Sequence, residues 1–159
     1  MIWLALGMLL VVCFAGVLLV GAPYLPTLRP QIDASLELLE LQPGDTLLEL
    51  GSGDGKVLLA AAEQGYKAVG IELNPLLCVV ARIRTWRHRD NVRVIWGNMW
   101  TTPWPKADGV YTFLLDRFMP RLDGRLREYK KPLVSVAFTI PGKKPAKECS
   151  GVFLYDYSG

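Results

Sequence analysis

Histidine is nearly absent from this chain, with His88 alone, and cysteine is sparse, at Cys13, Cys78 and Cys149. One histidine cannot build a histidine-based metal site. Three widely separated thiols offer neither a zinc-like pairing nor a disulfide framework, so no metal is expected. His88 reads as a helix-end residue rather than a catalyst. Charge is missing altogether from the first 28 positions, because all 18 basic and 15 acidic residues lie from Arg29 onward. The net charge of +3 therefore belongs to the remainder, and so modest a balance neither demands nor excludes a nucleic-acid partner.

What fills the uncharged start is apolar. Residues 1–22, MIWLALGMLLVVCFAGVLLVGA, contain 19 apolar residues and three glycines. As a helix this run measures about 33 Å, against a hydrocarbon core of roughly 30 Å. A cleaved signal peptide would need a basic start and a small-residue cleavage site; nothing basic precedes the run, and VGAP is a poor site. A core helix would need a polar face, which the run lacks. Residues 1–22 are expected to be a transmembrane anchor, making this a single-pass membrane protein in contact with the lipid bilayer.

Prolines 23, 26 and 30 in PYLPTLRP forbid simple continuation of that helix. Next, PQIDASLELLEL places Ile32, Leu36 and Leu39 on one face of an amphipathic helix, and QPGD is turn chemistry. From there strands and helices alternate. TLLEL (46–50), KAVGIEL (67–73), NVRVIW (91–96), DGVYTFLL (108–115), PLVSVAFTI (132–140) and VFLYDY (152–157) read as strands. KVLLAAAEQ (56–64, closed by Gly65), PLLCVVARIRTWRHR (75–89) and RLDGRLREY (121–129) read as helices, and 97–106 and 141–151 as loops. Strands this apolar imply an α/β fold, a mostly parallel sheet of six to seven strands covered on both faces. No helix fits before the last strand, which should run antiparallel at or near an edge. Three units follow: 1–22 the anchor, 23–42 a leading motif and helix, and 43–159 the α/β domain.

Ligands of such sheets lie at the carboxyl ends of the strands, where LELGSGDGK (48–56) ends the first one. A P-loop is excluded, since Val57 follows Gly55-Lys56 and no glycine stands five residues before Gly55. The dinucleotide fingerprint fails at its third position, which is Lys56. What remains is E-x-G-x-G-x-G, with Glu49, Gly51, Gly53 and Gly55, and Glu72 at the end of the next strand. This pattern resembles motifs I and II of the class I S-adenosylmethionine-dependent methyltransferases, which have a Rossmann-like fold. The resemblance implies that Glu49, Gly51, Ser52, Gly53 and Gly55 hold the amino-acid part of S-adenosylmethionine. Glu72 would accept hydrogen bonds from the ribose and repel a 2′-phosphate, with Leu73 beside it. Asn98 and Met99 would meet the adenine, Trp100 helping to cover the ring; a turn asparagine is the alternative for Asn98.

PYLPT, LELGSGDGKVLLAAAEQGYKAVGIELNP, NMW and VFLYDY together resemble a narrower group, the membrane-anchored protein-lysine methyltransferases of mitochondria and their prokaryotic relatives. Its eukaryotic members modify the adenine nucleotide translocase and the c-ring protein of ATP synthase. The resemblance implies methyl transfer from S-adenosylmethionine to lysine of a membrane-associated protein, with Tyr24 and Thr27 shaping the substrate channel. The domain would then face the cytoplasm, or the matrix of an organelle, where the cofactor is made. The segment PGKKPAKECSG departs from the group, being shorter and lacking its aromatic-proline stretch. Asp116, after the fourth strand, and Tyr24 are the catalytic candidates; Asp116 reads equally as a surface turn residue.

ARIRTWRHRDNVR gathers Arg82, Arg84, Arg87, Arg89 and Arg93. A solvated helix face, nucleic-acid contact and contact with anionic lipid all fit, though little aromatic interleaving supports RNA. A methyltransferase acting on a small molecule or RNA, and a cofactor-binding interaction module without turnover, are the other functions the chain allows.

Overall fold

A computed structural model describes residues 1–4, 7–8 and 27–159. Helix α1 (Arg29–Leu39) begins with Pro30 in its first turn and buries Ile32, Ala34, Ser35, Leu36 and Leu39, the expected face. The chain then turns at Gln42–Asp45, where Asp45 N donates to Gln42 O at 2.9 Å and Gly44 takes φ +95°, a conformation suited to glycine. Strand β1 (Thr46–Leu50), helix α2 (Lys56–Glu63), strand β2 (Lys67–Glu72) and helix α3 (Pro75–Arg84) follow. Strands β3 (Val92–Trp96) and β4 (Gly109–Thr112), helix α4 (Met119–Tyr129), and strands β5 (Leu133–Val136), β6 (Lys147–Cys149) and β7 (Val152–Tyr155) complete the domain.

The seven strands form one sheet in the order β3-β2-β1-β4-β5-β7-β6. The first five are parallel, and β7 pairs antiparallel with both β5 and β6. Alternation along β1 sends Leu47 into the core under α1, α2 and α3, and Leu48 and Leu50 into the core under α4. On that second face α4 buries Met119, Leu122 and Leu126, one helical stripe. The winding reverses between β1 and β4, so their carboxyl ends open the crevice where ligands of such sheets lie.

Four expectations need correction. The third expected helix does not run to residue 89: it stops at Arg84, where Thr85 N and Oγ1 both bond Ala81 O at 2.9 and 2.8 Å, and a 3-10 turn covers Trp86–His88. The fourth strand ends at Thr112 rather than 115, and Asp116 opens a 3-10 turn. The fifth ends at Val136 rather than 140, because Ala137 takes φ +64° while Phe138 N donates to Val136 O at 2.8 Å. That i to i+2 bond around a positive φ is a rare, strained γ-turn. Finally, the expected loop 141–151 contains β6. Ser150 and Gly151, both at positive φ, make the tight two-residue hairpin turn into β7.

Among the described residues no helix is long and apolar enough to cross a membrane. The segment expected to be the anchor, 1–22, lies largely outside the described residues, and Tyr24 lies wholly outside them.

Candidate functional site

The glycine loop leaves β1 and is pinned at once to β2, where Gly51 N and Ser52 N donate to Ile71 O at 2.9 and 3.2 Å. Two contacts need the absence of a side chain. A Cβ on Gly55, which has φ +79°, would stand 2.9 Å from Ala81 Cβ and 3.0 Å from Ala81 Cα, so the start of α2 lies against the backbone of α3. A Cβ on Gly70 would stand 2.5 Å from Ser52 Cβ and 2.7 Å from Leu58 Cδ1. Gly70→Ala is therefore expected to push the loop outward and lower stability by about 1–3 kcal/mol, as overpacking does. Urea unfolding reads this; a midpoint equal to wild type would mean the loop yields without strain.

Glu72 ties the loop to the next element. Its Oε2 accepts from Gly53 N at 2.8 Å and its Oε1 from Asn74 N at 2.8 Å, while Asn74 Oδ1 caps α3 through Leu76 N at 2.9 Å. Each carboxylate oxygen keeps a lone pair for a ligand. The carboxyl is only 6% exposed, and burial raises its pKa, opposed by the amides of Asn74, Gly53 and Leu73.

Glu49 is buried more fully, at 4% exposure. Its pKa is raised well above the usual carboxylate range by burial first, then by the charges of Glu72 and Asp54, with partial relief from the Leu58 amide. Its Oε2 has no hydrogen-bond partner, nor do Ser52 Oγ and Asn74 Nδ2. An unpartnered buried carboxylate beside a second one costs free energy unless a cation arrives. The site is thus built for a ligand with a positive charge and several hydroxyl or amine groups. S-adenosylmethionine has both, so the residues present fit that group.

The adenine-side candidates lie on the loop after β3. Asn98 Oδ1 accepts from Trp100 N at 2.9 Å and Asn98 O accepts from Thr102 N at 2.8 Å, so Asn98 does shape a turn. Met99 is buried; its carbonyl is gripped by Trp104 Nε1 at 2.8 Å and by the Arg125 guanidinium. Trp100 packs on Phe118 at 6.0 Å between ring centroids, with the Arg121 guanidinium 4.5 Å from its own ring. Leu73 is half-buried and its carbonyl accepts from Trp96 Nε1 at 3.1 Å.

The substrate-side candidates are less gathered. Thr27 Oγ1 meets the hydroxyl of Tyr111 at 3.1 Å. Burial and then the charge of Glu49 push the Tyr111 pKa upward, which keeps that hydroxyl protonated. Tyr111 thus links the segment before α1 to the glycine-loop strand. Asp116 is exposed, and its Oδ1 accepts from Arg117 N at 2.7 Å.

Sequence reasoning missed an aromatic pair. Phe113 and Phe138, at the carboxyl ends of β4 and β5, stand 6.3 Å apart and tilted by 39°. Phe138 is held by the strained turn at Ala137 and by Ser135 Oγ, which donates to Phe138 O at 2.7 Å. The apolar run VAFTI concealed this break, and no residue in it signals one.

Known proteins agree with this geometry. A sequence model of the ANTKMT methyltransferase domain matches residues 49–147. The chain is similar to the lysine N-methyltransferase of Rattus norvegicus named for the c-ring protein of ATP synthase, 32% identical over 86% of this chain and 67% of that one. It is also similar to a protein-lysine N-methyltransferase of Saccharolobus islandicus, 30% identical over 77% of this chain and 81% of that one. Among solved structures, an RNA methyltransferase from Salinibacter ruber in complex with S-adenosyl-L-homocysteine superposes with a TM-score of 0.75. It is 31% identical, covering 82% of this chain and 91% of that one. The chain spans about half to two thirds of the length of the ATP synthase lysine N-methyltransferases it matches.

Proposed function

Because this chain belongs to the ANTKMT methyltransferase family, we propose that it transfers a methyl group from S-adenosylmethionine to the side-chain amine of lysine in a membrane-associated protein. The observation that carries the cofactor is the pair of buried carboxylates around the glycine loop, one with an unpartnered oxygen. The acceptor class rests on the names of the relatives, two of which are lysine N-methyltransferases of proteins.

When bound, the cofactor supplies a methyl group on a positively charged sulfur, open to in-line displacement. Glu49 and Ser52, with the backbone of Gly51, Gly53 and Gly55, hold its amino-acid part. Glu72 accepts the ribose hydroxyls through its remaining lone pairs. Leu73, Asn98 and Met99 enclose the adenine. The chain's task is then to align two atoms and exclude water, and alignment supplies on the order of 7–11 kcal/mol.

A lysine amine attacks only when neutral, and in water its pKa is about 10.4. Desolvation lowers that value. Phe113 and Phe138 provide the apolar walls for it at the open ends of β4 and β5, and Thr27, with Tyr24 before it, closes the channel. Asp116 stands in water, where attraction to an ammonium 4 Å away is only about 1 kcal/mol. It steers the incoming lysine rather than taking its proton. Phe138→Ala is expected to lower kcat/KM for the protein acceptor about tenfold or more while leaving S-adenosylhomocysteine affinity at the wild-type value. Parallel steady-state kinetics and calorimetry check this; equal loss of both would place Phe138 in the cofactor site instead.

Residues 1–22 serve as the membrane anchor, supported by their lack of charge and their length. Residues 23–42 link it to the catalytic domain of 43–159, which faces the cytoplasm or matrix. The test is incubation of the protein with methyl-labelled S-adenosylmethionine and host membranes, soluble protein and RNA in separate reactions. Label recovered as methyllysine from membrane protein supports the proposal. Label confined to RNA would favour the second activity, the one named for the Salinibacter ruber structure.

A further inference from the structure

The outer surface of α3 and its continuation carry more apolar area than a solvated helix tolerates. Val79 and Val80 are exposed, Ile83 is 70% exposed and Trp86 63%. Trp96, at the end of the edge strand β3, is 66% exposed. Val79, Arg82, Ile83 and Trp86 line an open groove of about 420 Å³. Contiguous exposed apolar surface of this kind marks an interaction site.

Charge is concentrated on the same stretch. Residues 79–96 hold five arginines against one acid, Asp90, which leaves the rest of the chain with thirteen basic and fourteen acidic residues. The entire net positive charge therefore resides here. Several of the arginines are held around the strip. Arg82 Nη2 donates to Val94 O at 3.0 Å, Arg84 Nη2 pairs with Asp54 at 2.9 Å, and the Arg89 guanidinium lies 5.1 Å from the Trp86 ring centroid.

We propose that this face of α3 and β3 docks on an anionic lipid surface, separately from residues 1–22. Val79, Val80 and Ile83 enter the acyl boundary, Trp86 and Trp96 sit at the headgroup level, and the arginines meet lipid phosphates. Indole rings and guanidinium groups both favour that level, and each arginine contributes about 1 kcal/mol near anionic lipid. The aliphatic residues decide against RNA, because they offer a base neither a stacking plane nor a hydrogen bond. The inference does not depend on the methyl-transfer reaction. It states which side of the domain lies on the bilayer.

The test uses the full chain mixed with phosphatidylcholine vesicles containing brominated lipid, with and without phosphatidylserine. Bromine quenches tryptophan at the headgroup and acyl boundary. Trp3, if inserted, quenches alike in both vesicles, so the increment caused by phosphatidylserine is what is read. A clear increment is expected, one that salt diminishes. Combined Trp86→Phe and Trp96→Phe should remove it, and so should combined Arg87→Glu and Arg89→Glu. S-adenosylhomocysteine affinity in the same samples should stay at the wild-type value, which shows that the variants fold and keeps this test apart from the catalytic proposal. The inference is overturned by the absence of an increment, or by an increment that survives charge reversal. It is equally overturned if these residues mediate self-association or RNA binding while the protein ignores lipid.

Discussion

Glu72→Ala is expected to weaken S-adenosylhomocysteine binding by at least about tenfold. A charge-assisted hydrogen bond to a ribose hydroxyl is worth about 1.5–3 kcal/mol, and about 1.4 kcal/mol is a factor of ten. The geometry adds a second source of loss. Glu72 also holds Gly53 N and Asn74 N, each at 2.8 Å, so its removal frees the loop that lines the ligand. Glu72→Gln separates the two contributions. It retains an acceptor for one of the backbone amides but no charge, so its affinity should fall between wild type and Glu72→Ala. Calorimetry on the three proteins decides the matter. Unchanged affinity in Glu72→Ala would show that the ribose lies elsewhere.

Glu49→Gln should move stability and binding in opposite directions. Burial and the neighbouring carboxylates raise the pKa of Glu49 in the folded state. The folded protein therefore binds a proton more readily than the unfolded chain, and the wild type loses stability as pH rises from the ordinary carboxylate range, near 4.5, toward the raised value. Glutamine has no such titration. At neutral pH the ligand-free variant should melt higher than wild type, by a few degrees, and the difference should vanish at a pH where Glu49 is protonated in both states. The cationic ligand needs the carboxylate, so affinity should fall about tenfold or more, the worth of one charge-assisted contact. The melting shift on adding saturating ligand should shrink accordingly. Wild-type affinity in the variant, or a wild-type protein that gains stability as pH rises through this window, would contradict the role given to Glu49.

Local chemistry determined how much of this was readable in advance. Strand β1, helix α2, strand β2 and the start of α3 follow from runs of apolar residues, from Pro75 after an asparagine cap, and from glycines that end elements. The antiparallel β7 follows from the lack of room for a helix. The break at Ala137 was not readable, because alanine carries no preference for positive φ; contacts across β5 and β7, such as Ala137 N to Gly151 O at 2.8 Å, impose it. The edge strand β6 was missed although Ser150-Gly151 is a turn signal, since the charged Lys147 and Glu148 do not read as a strand. Such charges protect an exposed edge from pairing with another chain.

The site divides in the same way. The spacing of Glu49, the glycines and Glu72 pointed to one ligand class, and the fold brings them together. That Glu72 would grip the glycine loop itself depends on the separation of β1 and β2, which spacing cannot convey. The Phe113 and Phe138 pair depends on the register of β4 with β5 and on the strained turn, both tertiary. The arginine-rich stretch was visible, but its apolar partner surface emerged only when α3 was seen to bury little beyond Cys78 and Ala81.

The central claim is that the glycine loop and its two buried carboxylates form a site for an S-adenosyl nucleoside. Calorimetric titration of the protein with S-adenosylhomocysteine, NAD and ATP at matched concentrations tests it most directly. One S-adenosylhomocysteine per chain is expected to bind, with no heat from NAD or ATP beyond dilution. Tight binding of NAD with no response to S-adenosylhomocysteine would contradict the account.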